Sequence, residues 1–273
     1  MASLDVVPYD FFGRDKLTIY FFIGRMNPPH AGHEEALRQL MEMAMSENSI
    51  PLILAGSGPN GGERTLDNPL TFITKQRVLK YRLAGSLCEI REKTNPVGDV
   101  LNWAEEIMRN TKQTKVVFKL VTGDKGENAT KLSGILSTIV KSAQRKGMDA
   151  TGESVAIRAV SINGVEMSAT QVRKDALKAH VSGDASFHEK YSGYYGPHTE
   201  NVFGEIVQIA TQMTQEDVVE YISTGELPKS IKSVKKKTKK SNVENRGANA
   251  ENINASRGTS KKSAKGAKKN NSV

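Results

Sequence analysis

The sequence predicts an α/β fold: a Rossmann-like parallel sheet with helices on both faces, then a C-terminal helical extension and a basic tail. Three observations predict it. Short apolar runs of strand length alternate with segments whose apolar residues recur at helical spacing, the pattern of parallel strands joined by right-handed crossovers. The stretches richest in Gly, His, Asn, Asp and Arg (24–33, 56–70, 122–125 and 161–173) all follow such runs, at the edge where these sheets bind ligands. From residue 229 onward the chain has no aromatic residue and fills with Lys, Asn, Ser, Gly and Ala.

The elements follow in order. Residues 17–24 open with Leu-Thr-Ile-Tyr-Phe-Phe-Ile, a buried strand. Residues 30–46 are helical, with Ala36, Leu37, Leu40, Met41 and Ala44 on one stripe. A second short strand is expected at 50–55. The stretch 56–68, dense in Gly, Pro, Asn and Asp, is a loop. Helix is expected at 71–84, a short strand at 87–92, and helix again at 97–109, with Val100, Trp103, Ala104 and Ile107 inward. Strands at 115–121 and 154–160 and helices at 132–143 and 168–180 complete the domain. Two further helical segments, 201–213 and 215–223, form a cap. This divides the chain into an N-terminal extension (1–16), a main domain (17–184), a helical cap (185–228) and a tail (229–273) that cannot bury enough apolar surface to order itself. No internal repeat is present.

The net charge of +9 belongs to the tail. Residues 229–273 hold 14 Lys and Arg against two acids, Glu244 and Glu251. The other 228 residues carry 25 basic and 28 acidic side chains, a net of −3. Only the tail therefore supports contact with nucleic acid, and residues 232–240 also read as a nuclear-import signal. Cys88 is the single cysteine, so no intrachain disulfide can form. No apolar run approaches the ~20 residues of a membrane helix, and residues 1–16 lack the layout of a secretory signal. A soluble, cytoplasmic protein is expected, with nuclear or virion association through the tail as the alternative.

Two segments carry the chemistry. Gly24-Arg25-Met26-Asn27-Pro28-Pro29-His30-Ala31-Gly32-His33 joins a strand to a helix start. Unpaired N–H groups and the positive end of the helix dipole suit a phosphate there, and two imidazoles add donors. A metal pair at this spacing would lack a third ligand, since His180, His188 and His198 lie in the far segment. The second is Met167-Ser168-Ala169-Thr170-Gln171-Val172-Arg173, another strand-loop-helix junction with two hydroxyls and an Arg. Ser168 with Gln171 also reads as an ordinary capping box.

The first segment resembles the HxGH signature of the nucleotidylyltransferase superfamily, and its Gly-Arg and Pro are most similar to the nicotinamide-mononucleotide adenylyltransferase branch. The second resembles that superfamily's ISxTxxR motif, with Met167 for Ile. Asn68-Pro69-Leu70-Thr71-Phe72, with Lys75 and Arg77, is similar to the NPL segment of bacteriophage and large-virus adenylyltransferases; it also reads as a plain helix start with cations on a solvated face. Gly123-Asp124 sits where the family places a nucleotide contact, and equally suits a turn.

The resemblance covers roughly residues 17–184 and implies transfer of AMP from ATP, with Mg²⁺ bridging the triphosphate, onto a phosphorylated acceptor, nicotinamide mononucleotide first among them. It implies that His30 contacts the α-phosphate, that His33 and Arg25 hold neighbouring phosphates, and that Ser168, Thr170 and Arg173 take the leaving phosphates. Gly24, Asn27, Gly32 and Asp124 would line the nucleotide, Gly32 by letting backbone approach it. Another acceptor such as phosphopantetheine, CTP as donor, or a non-catalytic scaffold whose tail binds nucleic acid are the alternatives. The Gly-Arg opening disfavours cytidylyltransferases, which usually carry Gly-Thr-Phe-Asp there.

Overall fold

The computed structural model describes residues 16–56, 64–111, 113–123, 127–157 and 168–228. The readings placed on Asp124, Met167, the centre of the glycine-rich loop and the basic tail lie outside them.

Five strands form one all-parallel sheet: β1 (Leu17–Gly24), β2 (Leu52–Gly56), β3 (Glu89–Lys93), β4 (Lys115–Gly123) and β5 (Asp149–Ile157), in the order β3-β2-β1-β4-β5. Between them run α1 (Ala31–Ser46), α2 (Phe72–Arg82), α3 (Pro96–Thr111) and α4 (Glu127–Arg145), and after β5 come α5 (Ala169–Ser182), α6 (Ser186–Tyr195), α7 (Thr199–Ala210) and α8 (Gln215–Thr224).

Register explains the layering. Phe21 pairs with Leu52 on one side and Leu120 on the other, so alternate residues of β1 reach opposite faces. Leu17, Ile19 and Phe21, with Val116, Phe118 and Leu120, pack under Val100, Trp103, Ala104 and Ile107 of α3 and Ile139 and Ala143 of α4. Tyr20, Ile53, Ala55 and Val121 pack on the other face against Leu37, Leu40 and Met41 of α1 and Leu79 of α2. A sheet covered on both faces needs continuous apolar strands, and β1 and β2 have them. Strand order reverses between β1 and β4, so the crevice beyond Gly24 and Gly123 is the topological switch point.

The observed bounds depart from expectation in several places: α4 begins five residues before 132 and α7 ends three residues before 213. Strand β5 begins five residues before 154, because its register with β4 runs from Asp149 to Ile157. The cap holds three helices, not two. Helix α6 was missed because Ser, His, Gly and three Tyr are weak helix formers. Ring packing outweighs that weakness: Phe187 lies 4.8 Å from Tyr191 and 5.3 Å from Phe203 of α7. The cap helices pack on α5 and α2, within the same compact unit as the sheet. No helix among the described residues is long and apolar enough to cross a membrane.

Candidate active site

The turn after β1 is held in an uncommon conformation. Met26 has φ +44°, which L-residues adopt only under constraint, and its side chain is buried. A Cβ on Gly24 would come within 2.7 Å of Cε1 of Phe22, so this glycine makes room for the strand's own ring. Asn27 is 3% exposed. Its Nδ2 donates to Oδ1 of Asn68, and its Oδ1 accepts from the Leu70 N–H at 2.9 Å. Both ends of the Asn27 side-chain amide thus fasten the Asn68-Pro69-Leu70 segment to the turn.

His30 is the N-cap residue of α1, and His33 lies in the first turn. The two rings sit 3.8 Å apart, centroid to centroid. Burial pushes the His30 pKa down to about 4, and burial with the neighbouring ring pushes His33 down to about 3, so both imidazoles are neutral at physiological pH. Nδ1 of each ring is buried and has no hydrogen-bond partner among the described residues. Buried polar nitrogens are normally paired, so these two carry unused capacity. A Cβ on Gly32 would stand 3.2 Å from Cε1 and Nδ1 of His30. The bare Cα of Gly32 therefore leaves room for the His30 ring.

Helix starts at this edge differ in how they are capped. Ser168 caps α5, accepting from the Gln171 N–H at 3.1 Å. Thr71 caps α2, and Glu205 of α7 adds a carboxylate there, accepting from the Thr71 N–H at 2.6 Å and from the Thr74 hydroxyl at 2.6 Å. Asn95 and Asp99 satisfy amides at the start of α3. No side chain caps α1. The His33 N–H turns back to the His30 carbonyl at 2.8 Å, and among the described residues no side chain holds the dipole end.

Arg173 reaches this turn from α5. It is 6% exposed, and its Nη1 donates to the Asn27 carbonyl at 2.6 Å. Nη2 donates to Oγ1 of Thr170 at 3.0 Å and lies 3.5 Å from Asp67, while Nε donates to the Tyr221 hydroxyl at 2.6 Å. Four of its five N–H groups are thereby engaged, leaving one on Nη1. Ser168 and Thr170 hydroxyls each accept a hydrogen bond from the protein and donate to no group among the described residues, so their protons face outward.

A cavity of about 520 Å³ joins these groups. His30, His33, Arg25 and Asn27 form one wall, and Ser168, Thr170 and Arg173 form the other. All seven were expected from the sequence. Gly24 and Gly32 support the wall from behind, and Asp124 lies outside the described residues. Three cavity residues were not expected: Met26, Asp67 and Ala169. Asp67 precedes the Asn68-Pro69-Leu70 segment, which was read only as a separate match. Among the described residues no group of three or more His, Cys, Asp or Glu is arranged to hold a metal ion.

Lys75 corrects the solvated-face reading of the Asn68 segment. It is fully buried, donates to the Gly56 carbonyl and lies 3.3 Å from Oδ1 of Asn68; burial lowers its pKa to about 8 against the pull of Glu92 and Glu205. Arg77 is exposed, as that reading required. The signature helix is braced in turn by Glu34, which meets Arg82 at 2.7 Å and Arg38 at 2.8 Å. Compared with protein-family models and with curated proteins, the chain finds no match.

Proposed function

We propose that this protein transfers AMP from ATP to the phosphate of an acceptor, nicotinamide mononucleotide being the first candidate, and releases pyrophosphate. One observation carries the reading. Two segments some 140 residues apart in sequence, each resembling a nucleotidylyltransferase motif, face each other across one cavity at the sheet's switch point.

The acceptor phosphate attacks the α-phosphorus of ATP in line, and the bond to the bridging oxygen of pyrophosphate breaks. A phosphate monoester is already anionic near neutral pH, so no general base is needed; positioning and charge stabilisation supply the rate. A neutral His30 donates a hydrogen bond to the α-phosphate oxygens as charge shifts onto them. The uncapped start of α1, with His33, cradles the adjoining phosphate. Outward hydroxyl protons of Ser168 and Thr170, with the remaining N–H of Arg173, take the leaving phosphates, and Arg25 sits exposed at the rim. Mg²⁺ would enter with ATP, held by phosphate oxygens and water, with Asp67 the only carboxylate on the described cavity wall.

Pyrophosphate release from ATP, measured with nicotinamide mononucleotide, phosphopantetheine and no acceptor, tests the reading; CTP in place of ATP tests the donor. Absence of pyrophosphate with every pair would leave the scaffold alternative standing.

A further inference from the structure

We propose that Tyr221, in the C-terminal helical cap, is a positioning residue for the triphosphate: it holds Arg173 in the orientation that the cavity requires. The proposal rests on the nucleotidyl-transfer reading and places the cap inside the machinery rather than beside it.

Three contacts fasten the end of α8 to the first turns of α5. The buried Tyr221 hydroxyl accepts from Nε of Arg173 at 2.6 Å. Nζ of Lys174 donates to the Ser223 carbonyl at 2.9 Å. Gly225, with φ +76°, comes so close that a Cβ would meet Cγ2 of Thr170 at 2.8 Å. These anchors fall on Thr170, Arg173 and Lys174, the turn that presents the cavity's hydroxyl and guanidinium donors.

Geometry explains why the phenol matters. A guanidinium is planar, so fixing Nε on one edge and Nη1 on another fixes the plane. Tyr221 supplies the first and the Asn27 carbonyl supplies the second. The remaining Nη1 proton then has one direction only. Without the phenol the Nε edge is released and the plane rests on the Asn27 carbonyl, the Thr170 hydroxyl and Asp67 at 3.5 Å; the last two line the cavity, where an incoming phosphate competes for the same Nη2, so the donors lose their alignment. A sequence reading has no means of finding this, because Tyr221 stands 48 residues beyond Arg173.

The test compares Tyr221→Phe with Tyr191→Phe in the full chain. Tyr191 is another buried cap tyrosine; its hydroxyl donates to Asp175 at 2.8 Å and does not touch Arg173. Binding of ATP and of pyrophosphate is measured by calorimetry, with thermal unfolding alongside. Losing one charge-assisted hydrogen bond that acts on binding weakens ATP and pyrophosphate about tenfold in Tyr221→Phe. Tyr191→Phe alters unfolding alone and leaves binding and kcat within about threefold of wild type. In an Arg173→Ala background the Tyr221→Phe effect vanishes. Equal binding by wild type and Tyr221→Phe overturns the proposal, as does an effect that persists without Arg173.

A wild-type measurement stands apart from any variant. The Arg173 Nε proton, assigned by its loss in Arg173→Lys, exchanges slowly with water in ligand-free protein; fast exchange overturns the proposal. Wild type that binds neither ATP nor pyrophosphate would instead refute the function itself.

Discussion

Acidification from pH 7 to pH 5 should destabilise this protein through His30 and His33 by about 4 kcal/mol. An unfolded histidine has its pKa near 6.5, whereas burial lowers His30 to about 4 and His33 to about 3. The native state therefore binds fewer protons than the unfolded chain throughout this window. Stability is full above the unfolded value and falls as the pH drops toward the folded values. At pH 5 the unfolded rings are nearly all protonated and the folded ones are not, so each ring traverses about 1.5 pH units, or about 2 kcal/mol. The carboxylates whose pKa values are lowered in the fold, Glu34 and Asp175 among them, act alike in wild type and in a variant lacking both imidazoles, so the difference between the two proteins cancels them. Urea unfolding at both pH values, on wild type and on His30→Gln/His33→Gln, isolates the effect. Wild type should lose about 4 kcal/mol more than the double variant between the two pH values. An equal loss in both proteins would mean that the imidazoles are not held neutral, and the picture of two uncharged donors at the α1 start would fail.

Three further outcomes are expected. His30→Ala should keep its fold and lose about 10²–10³ in kcat, the usual effect of deleting one preorganised donor; a near-normal kcat in a pyrophosphate-release assay would remove His30 from its role. Asn27→Ala leaves the Leu70 N–H without its acceptor inside the protein, which should cost about 2 kcal/mol and show as a melting point lower by roughly 5 °C; an unchanged melting curve would deny the link between turn and segment. Deleting residues 229–273 should leave turnover intact while abolishing salt-sensitive binding to DNA or RNA; lost turnover would make the tail part of the catalytic unit.

The sequence made the sheet legible because buried parallel strands must be apolar on both faces, and Ile19, Phe21 and Leu54 announce that without tertiary help. Both cavity walls were legible too, since their residues sit in short local patterns. What the sequence could not reveal are the contacts between distant segments. Nothing in the string links Arg173 to the Asn27 carbonyl, Glu205 to the start of α2, or Tyr195 to the Pro29 carbonyl, which its hydroxyl reaches at 2.8 Å. Such bonds join side chains to backbone groups whose direction only the fold sets. The same holds for the glycines: Gly24 and Gly32 were legible as requirements, but the atoms that demand them are the Phe22 and His30 rings.

The Asn68-Pro69-Leu70 helix start shows how the two kinds of information combine. By itself it offers an N-terminal dipole and so a second place for a phosphate. The protein closes that option: Glu205 puts a carboxylate on the first turn of α2, and Arg64 donates to the Pro69 carbonyl at 2.7 Å while meeting the Glu205 carboxylate at 3.9 Å. An incoming phosphate would have to displace a fixed anion of the same sign. At α1 the reverse holds. The cap position is filled by an imidazole that makes no capping bond, and two neutral rings face the cavity, with Asp67 its one carboxylate among the described residues. A fixed carboxylate thus disfavours an anion at the α2 start, and the Asn68 segment there fastens the turn through Asn27.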